Sequence, residues 1–194
     1  MRIIAGKWRS RRIQRPKTTG TRPYPDRVKE AVFSMLGSML DTGADMPATH
    51  VADVFAGSGG MGLEALSRGA SFCWFFENGR QARQTLDANI ASLEAGTEGR
   101  VIAGDAWTAL PRIAAESPIE VAFLDPPYAQ SLDVTGDGRV CQLLGAMTPC
   151  ASRCLIVLHH EAKVTYGSLP VARWEIVDQR SYGTNGITIF SHEA

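Results

Sequence analysis

The chain has 194 residues, 44% of them hydrophobic, with 20 Lys/Arg against 20 Asp/Glu. This supports one domain with an ordinary core and at most a small appendage, and no apolar run approaches the roughly 20 residues of a membrane span. The N-terminus is charged and has no apolar signal core, so a cytoplasmic protein without a membrane partner is expected. Among the four cysteines, no second pair or histidine cluster completes Cys150 and Cys154 into a zinc site, so reduced thiols and no metal are expected.

The net charge of zero conceals an asymmetry. Residues 1–30 carry ten Lys/Arg and two acids, a net of +8, and residues 31–194 carry ten Lys/Arg and eighteen acids, a net of −8. A basic arm on an acidic body points to polyanion contact, with a solvated tail as the competing reading. Trp8 stands among Arg2, Lys7, Arg9, Arg11 and Arg12, a stacking ring amid phosphate-seeking charges. Ile3, Ile4 and Ile13 give the arm strand character, so it reads as a short hairpin or an extension that orders on binding. Residues 1–24 are taken as this extension and 25–194 as the main domain.

Next, Thr21-Arg22-Pro23-Tyr24-Pro25 reads as extended, because each proline restricts its predecessor. Pro25 and Asp26 suit the first turn of a helix. Val28, Ala31, Val32, Met35, Leu36, Met39 and Leu40 form its apolar stripe. After a loop over 41–50, strands and helices alternate. Strands are expected near 51–55, 72–76, 100–103, 121–124 and 155–158. Helices are expected over 63–68, 80–95, after 106, and near 139–147. Two final strands, 173–179 and 186–190, flank a hairpin turn at Gly183-Thr184-Asn185-Gly186. The pattern predicts an α/β, Rossmann-like fold: a mostly parallel, doubly wound sheet with an antiparallel edge hairpin.

Ligands of such sheets bind beyond the carboxyl ends of the strands. Four segments fall at those ends. Asp53 and Phe55 lead into Ala56-Gly57-Ser58-Gly59, and Gly57-x-Gly59-x-x-Gly62 matches a dinucleotide-type turn. Glu77 follows about twenty residues past the first glycine, where a ribose-binding acid belongs; a solvated loop acid is the alternative. Asp105-Ala106 closes the third strand. Asp125-Pro126-Pro127-Tyr128 follows the fourth, at a corner where two prolines offer carbonyls and no N–H. Such a corner can accept both hydrogens of a nucleobase amine, with Tyr128 covering the ring face. His159-His160-Glu161 looks like a metal trio, but adjacent strand residues point to opposite faces, and an ordinary strand end is the better reading. A nicotinamide oxidoreductase fits the glycine turn but leaves the Pro-Pro corner and the arm unexplained.

These segments resemble the class I S-adenosylmethionine-dependent methyltransferases. More narrowly, the chain resembles the RsmD family, which methylates guanine N2 in small-subunit (16S) ribosomal RNA. The resemblance is carried by Arg2 to Arg9, Thr21-Arg22-Pro23 with Asp26 to Ala31, Asp53 to Gly59, and Gly62 to Ala70. Asp125 to Tyr128, Tyr182-Gly183 and Phe190 complete it. It implies S-adenosylmethionine as cofactor, its methionine end over Ala56–Gly59, its ribose at Glu77 and its adenine near Asp105-Ala106. It implies catalysis at Asp125, Pro126, Pro127 and Tyr128, and RNA contact by Arg2, Lys7, Trp8, Arg9, Arg11, Arg12, Arg22 and Arg27. The implied partner is ribosomal RNA or an assembling small subunit, met by a monomer. DNA or other RNA amino-methyltransferases share the corner, often with Asn in place of Asp125. A non-catalytic rRNA-binding assembly factor is the alternative of a different class. Because the arm lies apart from the cofactor segments in sequence, arm and cofactor binding are expected to be separable. The chain departs from the family at Tyr24, across 130–139, and at His159-His160-Glu161, where a glutamate directly after the strand is more usual.

Overall fold

The computed structural model describes residues 1–16, 24–149, 151–167 and 173–193. Arg22, Cys150 and the extended stretch preceding Tyr24 lie outside the described residues. Two compact units divide the chain, residues 1–104 and 105–194.

The first unit opens with the arm. An antiparallel bridge joins Arg2 to Arg12, Ile3 N–H donates to Arg11 O (2.9 Å) and Ile13 N–H to Met1 O (3.1 Å). Ile3 and Ile13 are buried, so the alternation seen in sequence anchors a short hairpin on the unit. Residues 1–16 belong with the first unit. Helix α1 spans Asp26–Leu40, with Pro25 at its N-cap, Asp26 in its first turn and Val28, Val32, Met35 and Leu36 buried. Three strands follow, β1 (His50–Val54), β2 (Phe72–Phe76) and β3 (Gly99–Ile102), separated by α2 (Gly62–Ser67) and α3 (Arg80–Ser92). All three are parallel, with β2 between its neighbours. Gly62 is required by packing: a Cβ there would come within 2.4 Å of Phe75 and 2.5 Å of Cys73 Sγ, so only glycine lets α2 lie so close to the strands.

The second unit contains α4 (Ala106–Glu116), β4 (Val121–Leu124), a 3-10 turn at Tyr128–Gln130, α5 (Arg139–Ala146), β5 (Arg153–Glu161), β6 (Glu175–Tyr182) and β7 (Asn185–Glu193). Strand β4 is buried throughout and runs parallel to β5; β5 and β6 both pair antiparallel with β7. The strand order is β3-β2-β1-β4-β5-β7-β6 in a seven-stranded sheet, the α/β, mostly parallel arrangement expected. The register of β6 shifts between Ile176 and Asp178, leaving Val177 43% exposed. A bulge of this kind protects a sheet edge from further pairing.

Three strands run longer than expected. Strand β5 extends through His159 and His160, and the last two strands close to a two-residue turn, Gly183-Thr184, with Asn185 as the first residue of β7. Polar residues hid these extensions from a reading that follows apolar runs. No described helix is long and apolar enough to cross a membrane.

Candidate active site

Strand β1 ends in a turn of unusual backbone. Phe55, Gly57 and Gly59 all have positive φ, +63°, +57° and +79°. For phenylalanine this conformation is an outlier, and such outliers gather at ligand sites. Ala56 N–H still bonds Phe76 O (2.9 Å), and Gly59 N–H turns back to Ala56 O (2.7 Å). A Cβ on Gly57 would meet only Phe55 O, at 4.0 Å. The backbone there is open to close approach, as a cradle for an anionic or polar group requires.

Two carboxylates hold this turn. Glu77, just past β2, accepts Gly57 N–H at 2.8 Å and Gly79 N–H at 2.7 Å. It ties the turn to the start of α3, a role absent from the ribose-acid reading. Asp53 is buried and accepts Gly62 N–H at 2.8 Å, so it fixes the start of α2 from within the unit. Lys29 Nζ bonds Gly60 O (3.1 Å), and Asn89 Nδ2 donates to Ser58 O (2.9 Å) and Gln14 O (3.0 Å). In the second unit, Asp105 caps α4 by accepting Trp107 N–H (3.2 Å), with Ala106 buried beside it.

Asp125-Pro126-Pro127-Tyr128 directly follows buried β4. Pro127 O accepts Gln130 N–H (2.8 Å), and Tyr128 O accepts Ser131 N–H (3.0 Å), which locks the corner into the 3-10 turn. The Asp125 side chain is 27% exposed and therefore reachable. Its Oδ1 lies 2.8 Å from His159 Nδ1, and His159 Nε2 lies 2.9 Å from Asn185 Oδ1. The His159 ring meets Tyr128 edge-on, with centroids 5.8 Å apart. Burial alone would lower the His159 pKa, but the Asp125 hydrogen bond and charge, with Asn185, outweigh it and raise the pKa above the imidazole's ordinary value. Its neighbour His160 is shifted down, chiefly by burial. The two rings do diverge as strand geometry demands, and no group of three or more metal-ligating side chains occurs among the described residues. Within this strand end, His159 joins Asp125 and Asn185 in a hydrogen-bonded chain. Its partners lie 34 and 26 residues away in sequence, beyond any local signal; the departure from the more usual glutamate was the only visible hint.

The arm presents a mixed surface. Arg9, Arg12 and Arg27 are exposed. Arg2 pairs with Asp26 at 3.3 Å, and Lys7 pairs with Glu98 at 2.6 Å while lying 4.4 Å from the Trp8 ring centroid. Arg11 donates to Ser92 O (2.7 Å).

The sheet and its glycine turn define an S-adenosylmethionine-dependent methyltransferase fold, and comparison with known proteins agrees. A family model described as "Conserved hypothetical protein 95" matches residues 1–191, and the chain belongs to that family. It is 35% identical over 196 residues to "Putative rRNA methyltransferase YlbH" of Bacillus subtilis, covering 98% of each chain. It is 32% identical to "Ribosomal RNA small subunit methyltransferase D" of Escherichia coli K12, covering 100% of this chain and 91% of the relative. A solved structure, "Putative methyltransferase yhhF from Escherichia coli", superposes with a TM-score of 0.80 at 32% identity, covering 100% and 98% of the two chains. The resemblance to the RsmD family therefore holds. The chain is a methyltransferase whose cofactor is S-adenosylmethionine, and the open backbone at Gly57 fits that group.

Proposed function

We propose that the chain transfers a methyl group from S-adenosylmethionine to the exocyclic N2 amine of a guanine in small-subunit (16S) ribosomal RNA. The observation that carries this reading is the rigid corner at the end of β4, which sets a reachable carboxylate beside an aromatic ring. The printed name of the Escherichia coli relative, a small-subunit rRNA methyltransferase, supports the RNA class.

In this reading Ala56–Gly59 hold the methionine end of the cofactor, Glu77 its ribose and Asp105-Ala106 its adenine, with Asp53 and Phe55 shaping the turn. When bound, the cofactor supplies an electrophilic methyl group on a sulfonium centre. Guanine N2 is a weak nucleophile, because its lone pair is delocalised into the ring. Asp125 and the Pro126 carbonyl accept the two amine hydrogens and orient the nitrogen. As that nitrogen becomes tetrahedral and cationic, the two acceptors stabilise it more than they stabilise the planar amine. Pro127 keeps the corner rigid, and Tyr128 stacks on the base. No strong general base is needed, since the alkylated amine is acidic and releases its proton afterwards. The base must be unstacked to enter, as in a loop or an open end of RNA.

Residues 1–24 bind the RNA: Arg2, Lys7, Arg9, Arg11, Arg12 and Arg22 meet its phosphates together with Arg27, and Trp8 stacks on a base. The enzyme works as a cytoplasmic monomer on ribosomal RNA or an assembling subunit. Mass mapping of ribosomal RNA from cells with and without the protein tests the reading. One N2-methylguanosine is expected to disappear and to return with the wild-type chain but not with Asp125→Ala. Unchanged ribosomal RNA, or methyl incorporation into DNA instead, overturns it.

A further inference from the structure

We infer that His159 and Asn185 are positioning residues for the amine-binding corner: the His159 imidazolium, locked by the Asn185 amide, fixes Asp125 by its Oδ1 and reserves Oδ2 for the amine. The inference rests on the methyl-transfer reading above. It concerns two residues that the sequence pattern did not single out for catalysis.

The protonation state follows from the hydrogen-bond partners. An ionised carboxylate only accepts, so His159 Nδ1 donates to Asp125 Oδ1 across 2.8 Å. Asn185 Nδ2 donates to Tyr182 O at 3.2 Å, which turns its Oδ1 toward His159 Nε2 at 2.9 Å. A flipped amide would set Oδ1 against the Tyr182 carbonyl, acceptor against acceptor. Both ring nitrogens of His159 therefore donate, and a ring that donates twice is an imidazolium.

The backbone fixes this arrangement. Asn185 opens β7 directly after the Gly183-Thr184 turn and stands opposite both Tyr182 and Glu161 in the ladders. The His159 side chain is 1% exposed and has little room to move. A Cβ at Gly186 would come within 2.4 Å of the His160 ring, so the glycine after Asn185 is what lets the two histidines share the strand end. His159 also orients Tyr128 through the edge contact, so one ring braces both the acceptor and the stacking residue.

A pH dependence follows. Among the groups facing His159 are Asp125 from the end of β4, Tyr128 from the 3-10 turn, Asn185 from β7, and His160 beside it on β5. When His159 loses a proton it keeps Nδ1–H for the Asp125 carboxylate and loses Nε2–H. A lone pair then faces Asn185 Oδ1, the ring loosens, and turnover falls on the alkaline side.

The test uses full-length wild-type, His159→Ala, His159→Gln and Asn185→Ala proteins on unmethylated 16S RNA, with the product nucleoside identified by mass spectrometry. Side-chain nitrogen NMR of His159 without RNA gives a readout independent of activity. His159→Ala is expected to lower kcat roughly 10- to 100-fold, with the RNA KM and cofactor affinity changed less than about three-fold. His159→Gln still donates to Asp125, so it recovers much of the rate near neutral pH and lacks the alkaline fall. Wild-type His159 shows two protonated ring nitrogens near neutral pH, and Asn185→Ala lowers its titration midpoint. A wild-type kcat in His159→Ala, or a neutral wild-type ring near neutral pH, overturns the inference. Should His159→Ala fail to fold, an unchanged alkaline limb in His159→Gln overturns it instead. Methylation of a different amine overturns the functional reading alone, because the variant-to-wild-type kcat ratio on that product still judges His159.

Discussion

In the proposed mechanism Asp125 stands where charge develops on the amine, so its removal should act on the rate rather than on cofactor binding. Asp125→Ala is expected to raise the barrier by about 3 kcal/mol, near 100-fold in kcat, by analogy with loss of one oxyanion-hole donor. Calorimetry should find its cofactor affinity within a few-fold of wild type, and near-normal turnover would remove Asp125 from the chemistry. Glu77 should behave in the opposite sense. Both of its oxygens already accept N–H groups, from Gly57 and Gly79, so Glu77→Ala releases the turn as well as any ribose contact. Cofactor binding should weaken by about 1–3 kcal/mol, and an unchanged affinity would leave Glu77 without a role there. His159 adds a pH signature to stability. Its folded pKa is raised above 6.5, so protonation favours the fold. That stabilisation is complete below the unfolded imidazole value and is lost as pH climbs through the raised folded value. Urea titrations of wild type and His159→Gln across this window should diverge at low pH and converge at high pH.

At the scale of elements, the arm and the glycine turn belong to one hydrogen-bonded network, so loss of the arm is expected to reach the turn. Glu64 on α2 is fully buried and accepts Ile4 N–H (2.8 Å), Ala5 N–H (3.0 Å) and Arg68 Nε (2.9 Å). Lys29 Nζ pairs with the same carboxylate at 3.5 Å and also holds Gly60 O. Burial lowers the Lys29 pKa, and Glu64 opposes the shift. Gln14 reaches the turn through Asn89 and Ser58, and Met1 Cε lies within 2.9 Å of where a Gly60 Cβ would stand. Glu64→Ala strands two buried cations and should cost about 3–5 kcal/mol. Hydrogen exchange should show residues 1–16 opening with it, and intact protection there would mean the arm is held by its isoleucines alone. Deleting residues 1–16 should weaken cofactor binding too. The periodicity of α1, α3 and the β strands was legible because apolar spacing records which face is buried. Ala82, Leu86, Ile90 and Leu93 are all buried as read. The glycine turn and the Pro-Pro corner were legible because backbone chemistry restricts what such residues can do. Lys29, Glu64 and His159 were not, since a buried charge looks like any surface charge until the fold supplies its partner. Lys29 sits inside the stripe of α1, and nothing in its neighbours marks it as an interior residue.

For the whole molecule, the separation of charge along the chain predicts how RNA is held, and the docked arm sharpens the expectation. Deletion is a poor probe, because Gln14 shares Asn89 with Ser58 of the glycine turn; point substitutions on the exposed face isolate the electrostatics. Arg9, Arg12 and Arg27 are exposed and available to phosphates. Arg2 and Lys7 already pair with Asp26 and Glu98, so each must exchange a carboxylate for a phosphate. Exposed pairs of this kind are worth about 0–1 kcal/mol, so that exchange is feasible but yields less. Replacing Arg9, Arg12 or Arg27 with Gln should each reduce the log-log salt slope of RNA binding by roughly 0.7–0.9, more than replacing Arg2 or Lys7. None of the three should alter cofactor affinity, which separates this effect from damage to the Glu64 network. Trp8 is half-buried, with Lys7 over its ring and its backbone N–H donating to Ser67 Oγ (2.9 Å). If its ring stacks on a base, Trp8→Ala weakens binding by about 1–3 kcal/mol with little change in slope. Filter-binding or fluorescence titrations at several salt concentrations measure all of these. A triple Arg9, Arg12, Arg27 variant with wild-type affinity and slope would show that the positive arm is not the surface that meets RNA.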